Sequence, residues 1–295
     1  MSSAPISAAP ISTERVSVIT GATSGIGRIA AAGLARRGDR VILIGRDPAR
    51  GQASLAQLTA ETGNPGLSFI AADLSSMAEV RRLADRLRAD HPRIDLLVNN
   101  AGALFQLRQE SAEGLELTFA LNHLAYFLLS DLLLEPLRQS GAGRVVNVAS
   151  TAHRGANLDF DDLQTTRGYS GWRAYQRSKL ANILFTRAFA QRYAASGIVT
   201  ACLHPGFVAT RFGDANGGLF ALALGAAKRL FAESAETGGQ RLLFLATTPT
   251  LEPGGYYAKN ALTNPSAAAR SEASAERLWQ ISLDLTHPWR EELGG

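Results

Sequence analysis

Short runs of β-branched and other apolar residues alternate along the chain with longer segments in which apolar residues recur at helical spacing. This alternation is typical of βαβ units, whose parallel strands are buried on both faces. The predicted strands are Val16–Thr20, Arg40–Ile44, Leu67–Ala72, Ile94–Asn99, Arg144–Ala149, Ile198–Leu203 and Gly255–Ala258. Helices are predicted to begin near Gly25, Pro48, Met77, Glu113, Trp172, Glu236 and Ala273. The pattern therefore predicts an α/β fold: a single doubly wound, Rossmann-type parallel sheet flanked by helices.

The chain is predicted to form one domain, residues 14–295, because no Pro/Gly-rich linker divides it. Residues 1–13, rich in Ser, Ala and Pro, are predicted to be a disordered tail. Two longer connections follow Ser150 and Pro205, at strand ends where open α/β sheets bind ligands. The second connection, about 206–233, is rich in Leu and Phe and predicts a small apolar lid over the substrate. The alternative is a helix pair packed on the core or on a second subunit.

Composition narrows the class of protein. Cys202 is the only cysteine, which excludes an internal disulfide and fits the reducing cytoplasm. The net charge of +4 includes no Lys/Arg run, so we expect no nucleic-acid partner. No apolar segment is long enough to span a bilayer, and residues 1–13 lack the features of a signal peptide. We therefore expect a soluble, cytoplasmic protein with a small-molecule substrate and no membrane span, and a homo-oligomer, dimer or tetramer, stays open.

A glycine-rich turn, Thr20-Gly21-Ala22-Thr23-Ser24-Gly25-Ile26-Gly27, follows the first strand and opens the first helix. Glycine here permits a tight turn and lets backbone N–H groups approach a pyrophosphate at the helix N-terminus. The second strand then ends in Gly45-Arg46, where a fold that prefers NAD usually offers a carboxylate to the ribose 2′-hydroxyl. Because Gly45 leaves room and Arg46 can bind a 2′-phosphate, we expect NADP(H). The alternative is that Arg46 only ends the strand and pairs with Asp47.

Tyr175 and Lys179 stand four residues apart, which places both side chains on one face of a helix. With six tyrosines and three lysines in the chain, the number of such pairs expected by chance is only about 0.06. An ammonium beside a phenol favours phenolate, so the pair suits a general acid/base. In reduction, hydride would pass from a nicotinamide to a carbonyl carbon while Tyr175 protonates the oxygen.

Two further polar residues are candidates for the same chemistry. Ser150, at the end of the fifth strand, can donate a hydrogen bond to a substrate carbonyl; the alternative is a serine that only ends the strand in a turn. Asn122 lies in an apolar helical stretch where a buried amide needs partners, either for function or within the core. His123, His153 and His204 lack metal-ligand spacing, so no metal site is predicted. Ser150 also lacks the G-x-S-x-G context of a hydrolase nucleophile.

These motifs together resemble the short-chain dehydrogenase/reductase family over nearly the whole chain. The resemblance rests on Thr20–Gly27, Asn99-Asn100-Ala101-Gly102, Asn122, Ser150, Tyr175-Gln176-Arg177-Ser178-Lys179 and Pro205-Gly206. Short stretches of the sequence are most similar to the retinol dehydrogenase and protochlorophyllide reductase-like branch, notably Leu121-Asn122-His123-Leu124, Ala152-His153 and Ser178-Lys179-Leu180-Ala181-Asn182.

The resemblance implies a catalytic tetrad of Asn122, Ser150, Tyr175 and Lys179, in which Asn122 holds a water that relays protons to Lys179. It implies that the pyrophosphate and adenosine ribose are lined by Gly21, Thr23, Ser24 and Ile26, and that the adenine is touched by Asp73 and Leu74. The adenosine side would be bordered by Asn100, Ala101 and Gly102. The nicotinamide carboxamide would be held by Pro205, Gly206, Val208 and Thr210.

The sequence thus predicts an NADP(H)-dependent ketoreductase or alcohol dehydrogenase acting on a carbonyl or secondary alcohol of a lipophilic or polycyclic molecule. The same scaffold could instead reduce a C=C bond or catalyse a redox-neutral rearrangement. A non-catalytic NADP(H)-sensing protein is the third alternative, and the paired Tyr175 and Lys179 argue against it.

Overall fold

The computed structural model describes residues 14–206 and 234–290. One eight-stranded sheet forms its centre, with strand order β3-β2-β1-β4-β5-β6-β7-β8. The strands are β1 Val16–Thr20, β2 Arg40–Gly45, β3 Leu67–Ala71, β4 Leu96–Asn99, β5 Arg144–Val148, β6 Val199–His204, β7 Gly255–Ala258 and β8 Ala261–Leu262. All neighbouring pairs are parallel except β7 and β8.

Helices cover both faces of this sheet. They are α1 Gly25–Arg36, α2 Pro48–Thr62, α3 Met77–Asp90, α4 Leu117–Phe119, α5 Ala125–Leu132, α6 Leu134–Arg138, α7 Gly171–Arg192, α8 Ala235–Thr247 and α9 Glu272–Arg290. A π-helical segment, Ala120–Leu124, joins α4 to α5. Within the described residues, no helix is both long enough and apolar enough to cross a membrane.

The strands form where the sequence has consecutive apolar residues because each strand is covered on both faces. In β1, Val18 belongs to the core on one side of the sheet and Ile19 to the core on the other, and both are fully buried. The chain order reverses between β1 and β4, whose carboxyl ends therefore lie side by side. Open α/β sheets bind their ligands at such a reversal. The predicted doubly wound α/β fold is confirmed.

Two elements differ from the sequence-based prediction. The helix predicted near Glu113 begins at Leu117, because the Glu113 carboxylate instead accepts hydrogen bonds from Ser76 Oγ and Ala78 N at the start of α3. The cap of α4 is Glu116, whose carboxylate accepts from the N–H groups of Thr118 and Phe119. The short antiparallel strand β8 was not predicted, since two residues are too few to form a hydrophobic pattern.

Several sequence-based predictions concern residues outside the described part of the chain. They are the tail at residues 1–13, the lid at about 206–233 apart from Gly206, and the cofactor contacts of Val208 and Thr210.

Candidate active site

The glycine-rich turn between β1 and α1 has the backbone that only glycine adopts readily. Gly21 and Gly25 have φ of 64° and 55°, in the left-handed region. Gly27 is needed for a different reason: a Cβ there would lie 2.5 Å from the carbonyl oxygen of Gly21. The glycine-rich turn therefore packs closely against the first turn of α1.

The N-terminus of α1 is left open to an anion. Its N-cap, Ser24, is exposed and makes no capping hydrogen bond through its side chain. By contrast, the caps of α2, α3, α7 and α8 each accept a hydrogen bond from a backbone N–H of their helix. Unsatisfied N–H groups at a helix start, close to a glycine turn, are the arrangement that binds phosphate. The residues present therefore fit a dinucleotide pyrophosphate.

The end of β2 is shaped for a nucleotide ribose. A Cβ at Gly45 would lie 2.6 Å from Cγ2 of Thr23, so this position accepts only glycine without a shift. Arg46 is exposed, and the Asp47 carboxylate instead accepts the backbone N–H of Arg50 at 3.1 Å, capping α2. Among the described residues, Arg46 has no ion-pair partner, so the suggested pairing with Asp47 is absent there.

The predicted adenine contacts follow β3. The Asp73 carboxylate accepts hydrogen bonds from the N–H and hydroxyl of Ser75, at 3.0 and 2.7 Å, and Leu74 is buried. Asp73 therefore has its conformation fixed by the turn into α3.

Asn122 lies in the π-helical segment Ala120–Leu124 and is completely buried. Its Oδ1 accepts the Ala103 N–H at 2.9 Å, and its Nδ2 donates to the Ala103 carbonyl and to Ser178 Oγ, each at 2.9 Å. The wider π-helical turn places this amide against the loop after β4 and against α7. Both polar atoms of its side chain therefore have hydrogen-bond partners within the protein.

Ser150, Tyr175 and Lys179 come together where β5 ends against α7. The Ser150 hydroxyl is hydrogen-bonded to the Tyr175 phenol. Lys179 Nζ donates to the carbonyl of Val148 at 3.0 Å and lies 5.7 Å from the ring centroid of Tyr175. A Cβ at Gly102 would lie 3.1 Å from Asn122 Oδ1 and 3.5 Å from Lys179 Nζ. Asn122 and Lys179 thus meet at Gly102, and Lys179 in turn faces the ring of Tyr175, which is paired with Ser150.

Burial controls the protonation of this cluster. It lowers the pKa of Lys179 from 10.5 to about 7 and raises the pKa of Tyr175 from 10.0 to about 12, against the opposing effect of the Ser150 hydrogen bond. The expected lowering of the phenol pKa by the neighbouring ammonium is absent here. The physical reason is that Lys179 Nζ is directed at the Val148 carbonyl and both groups are desolvated.

Comparison with known proteins identifies the family. The family model for short chain dehydrogenases matches residues 15–217, more than half of the chain. The chain belongs to the short-chain dehydrogenase family. The family fold binds a nicotinamide cofactor, and the protein is an oxidoreductase of this family.

Its relatives confirm the predicted retinol dehydrogenase-like branch. Retinol dehydrogenase 12 of Homo sapiens is 38% identical over 276 residues, covering 92% of this chain and 86% of that protein. A protein of Streptomyces sp. (strain C5), provisionally named daunorubicin C-13 ketoreductase DnrU, is 39% identical over 271 residues and 91% of each chain. The solved RhlG/NADP active-site complex of Pseudomonas aeruginosa has a TM-score of 0.64 at 27% identity, covering 86% of this chain and 96% of RhlG.

Sequence reasoning gave Thr20 no role beyond its place in the glycine-rich motif, yet this residue joins the two strands at the reversal point of the dehydrogenase. Its Oγ1 accepts the N–H groups of Asn100 and Ala101 at 2.8 and 3.0 Å and donates to the Val98 carbonyl. The Asn100 amide in turn donates to the carbonyls of Thr20 and Gly21. A threonine directly before the glycine turn was the available signal.

Two histidines also support the dehydrogenase site, although the sequence offered them only as unsuitable metal ligands. His204 Nδ1 accepts the N–H groups of Thr151 and Gly206, at 3.3 and 3.4 Å. It therefore links the turn after Ser150 to the proposed nicotinamide loop, where Gly206 has φ of 108° and the Pro205 carbonyl accepts from Arg241. The ring of His153 is hydrogen-bonded to the backbone carbonyl of Ser150.

Proposed function

We propose that this dehydrogenase is an NADP(H)-dependent ketoreductase or alcohol dehydrogenase acting on a carbonyl or secondary alcohol of a lipophilic small molecule. One observation carries the proposal: the hydrogen bond between the half-buried Ser150 and the buried Tyr175 phenol, with Lys179 facing the Tyr175 ring. A hydroxyl and a phenol in contact offer two donors to one substrate oxygen, which is what carbonyl reduction requires.

Each residue of the cluster has its own role in carbonyl reduction. Ser150 donates a hydrogen bond to the substrate carbonyl, and Tyr175 donates the proton that the oxygen gains. A phenol with a pKa of about 12 keeps its proton at neutral pH, the form needed for reduction. Lys179, with a pKa of about 7, can release or bind a proton near neutral pH and can therefore return a proton to Tyr175. When bound, the nicotinamide cofactor supplies the hydride in reduction and accepts it in oxidation.

The preference for NADP(H) rests on the end of β2. Arg46 is exposed and, within the described ranges, has no ion-pair partner, so its guanidinium can bind a 2′-phosphate in bidentate fashion. The matching RhlG structure is an NADP complex, which supports the same choice.

The lipophilic substrate is supported by the apolar surface beside Tyr175. Trp172, in the first turn of α7, is 45% exposed, and its ring centroid lies 5.8 Å from that of Tyr175. Leu107, on the adjacent loop, is 76% exposed. Two relatives are named as a retinol dehydrogenase and, provisionally, as a daunorubicin C-13 ketoreductase. The apolar lid at about 206–233 stays a prediction.

The test is to follow NADPH oxidation with a panel of lipophilic ketones and to determine the mass and the NMR spectrum of the product. A gain of two hydrogens at the carbonyl, absent in Tyr175→Phe, supports the proposal. Tyr193→Phe, at the other end of α7, is the matched control and should keep full activity. Reduction of a C=C bond, or a product of unchanged mass, would replace carbonyl reduction by the corresponding alternative chemistry.

A further inference from the structure

The short 3-10 helix Thr151–Gly155 directly after Ser150 is held by the ring of His153, which is completely buried. His153 Nδ1 lies 2.5 Å from the carbonyl oxygen of Ser150, and His153 Nε2 lies 3.1 Å from the backbone nitrogen of Ser266. The ring therefore bridges two segments 113 residues apart in the chain.

These partners determine where the imidazole carries its hydrogen. The Ser266 N–H can only donate, so Nε2 must be unprotonated to accept it. Nδ1 then carries the hydrogen and donates it to the Ser150 carbonyl. Burial lowers the pKa of His153, the hydrogen bond to Ser150 opposes this shift in part, and the nearby Arg154 guanidinium adds to it, so the neutral ring is the stable form at pH 7.

The bridge bears directly on the orientation of Ser150. Its hydroxyl oxygen accepts the Ala152 N–H at 3.2 Å, while its carbonyl accepts the His153 ring at 2.5 Å and the His153 backbone N–H at 3.3 Å. These bonds fix the residue within one turn, and the hydroxyl hydrogen can point at Tyr175 or at a substrate oxygen. Arg154 donates to the Asn264 carbonyl at 2.9 Å. The 3-10 helix that contains His153 is therefore also hydrogen-bonded to the segment after β8 through Arg154.

We propose that His153 is a positioning residue for proton transfer: its Nδ1–H holds the Ser150 carbonyl, and thereby aims the Ser150 hydroxyl at the Tyr175 phenol. The inference rests on the proposed carbonyl reduction and adds to it a residue outside the tetrad. The hydrogen bond from Ser266 has a separate role: it holds the imidazole ring against the segment after β8.

Two amide substitutions separate these tasks. In His153→Asn the side-chain amide can occupy the place of Nδ1 and donate to Ser150, but it is too short to reach Ser266. In His153→Gln the amide oxygen can take the place of Nε2 and accept from Ser266, without a donor placed for the Ser150 carbonyl. His153→Phe keeps the ring volume and the edge-on contact with Tyr256 but makes neither bond.

The experiment measures kcat and KM for ketone reduction, NADPH affinity and melting temperature for each variant. His153→Phe should lose about tenfold in kcat, the size of one net hydrogen bond, with NADPH affinity unchanged. His153→Asn should recover most of kcat although it melts as early as His153→Phe. His153→Gln should show the reverse, a wild-type melting temperature with the low kcat, and it serves as the test if His153→Phe does not fold.

The outcomes distinguish this inference from the proposed function. If kcat follows melting temperature across the three variants, or if His153→Gln is as fast as the wild type, His153 is only structural and the inference is wrong. If the wild-type protein reduces no ketone while Tyr175→Phe behaves identically, the proposed function fails and the inference fails with it.

Discussion

Replacing Lys179 with Met should make the protein more stable while abolishing its catalysis. Lys179 is 3% exposed, and burial lowers its pKa from 10.5 to about 7. Each unit of that shift corresponds to roughly 1.4 kcal/mol, so holding the ammonium in the folded protein below pH 7 costs about 4–5 kcal/mol. Methionine fills the same space without a charge.

Part of this gain is lost again at the Val148 carbonyl. Lys179 Nζ donates to it at 3.0 Å, and after substitution the Asn182 amide, at 3.3 Å, still donates to that oxygen. Weakening the hydrogen bonding of one buried carbonyl costs about 1 kcal/mol. The expected net increase in the free energy of unfolding at about pH 6 is therefore roughly 3–4 kcal/mol.

The pH dependence gives a sharper test than the size of the gain. Between the folded pKa of about 7 and the unfolded value of 10.5, the unfolded chain binds a proton that the folded protein has released. The stability of the wild type therefore rises with pH across this window, and the advantage of Lys179→Met shrinks by about 3 kcal/mol from about pH 6 to about pH 9.5.

Urea denaturation of the cofactor-free protein measures both quantities, with Lys259→Met as the control. Lys259 is exposed, so its replacement should leave stability nearly unchanged at every pH. An advantage of Lys179→Met that is absent at pH 6, or that does not change with pH, would refute the reasoning that this ammonium is buried at a cost.

The other predictions concern chemistry, cofactor and scaffold. Tyr175→Phe should lower ketone reduction by about two orders of magnitude or more in a steady-state assay while NADPH still binds, and a rate near wild type would exclude Tyr175 as the proton donor. Arg46→Ala should weaken NADPH binding by about 1.5–3 kcal/mol and spare NADH, measured by fluorescence titration; equal loss for both cofactors would contradict the role given to Arg46. Thr20→Val leaves the N–H groups of Asn100 and Ala101 without their acceptor, so urea denaturation should show a loss of about 2–3 kcal/mol, and an unchanged midpoint would argue against this link.

The sheet was predictable because burial on both faces requires consecutive apolar residues, as in Arg40–Gly45 and Val199–His204. The glycine-rich turn was predictable as well, because it directly follows the apolar run of β1 and precedes the helical pattern of α1. The sequence also placed Tyr175 and Lys179 on one helical face, because their spacing is set by helix geometry alone. Local periodicity was sufficient for each of these features.

Other features depend on contacts that no local pattern shows. The start of α4 at Leu117 is set by the Glu113 carboxylate, whose hydrogen-bond partners lie on α3. The π-helical turn that directs Asn122 toward Ala103 and Ser178 has the same hydrophobic spacing as an ordinary helix. The bond between His153 and Ser266 joins distant parts of the chain. Such contacts exist only after the elements have packed.

The pKa values of Tyr175 and Lys179 show how packing changes the chemistry that a motif implies. Spacing alone predicted an ammonium that stabilises a phenolate, whereas burial drives both groups toward their neutral forms. A neutral phenol is already the proton donor needed for carbonyl reduction, but oxidation of an alcohol needs the phenolate. The alcohol-oxidising direction therefore requires a nearby positive charge, and Lys179 provides it only at or below about pH 7. Burial in the cofactor-free protein thus favours the protonated phenol, which is the form that carbonyl reduction uses.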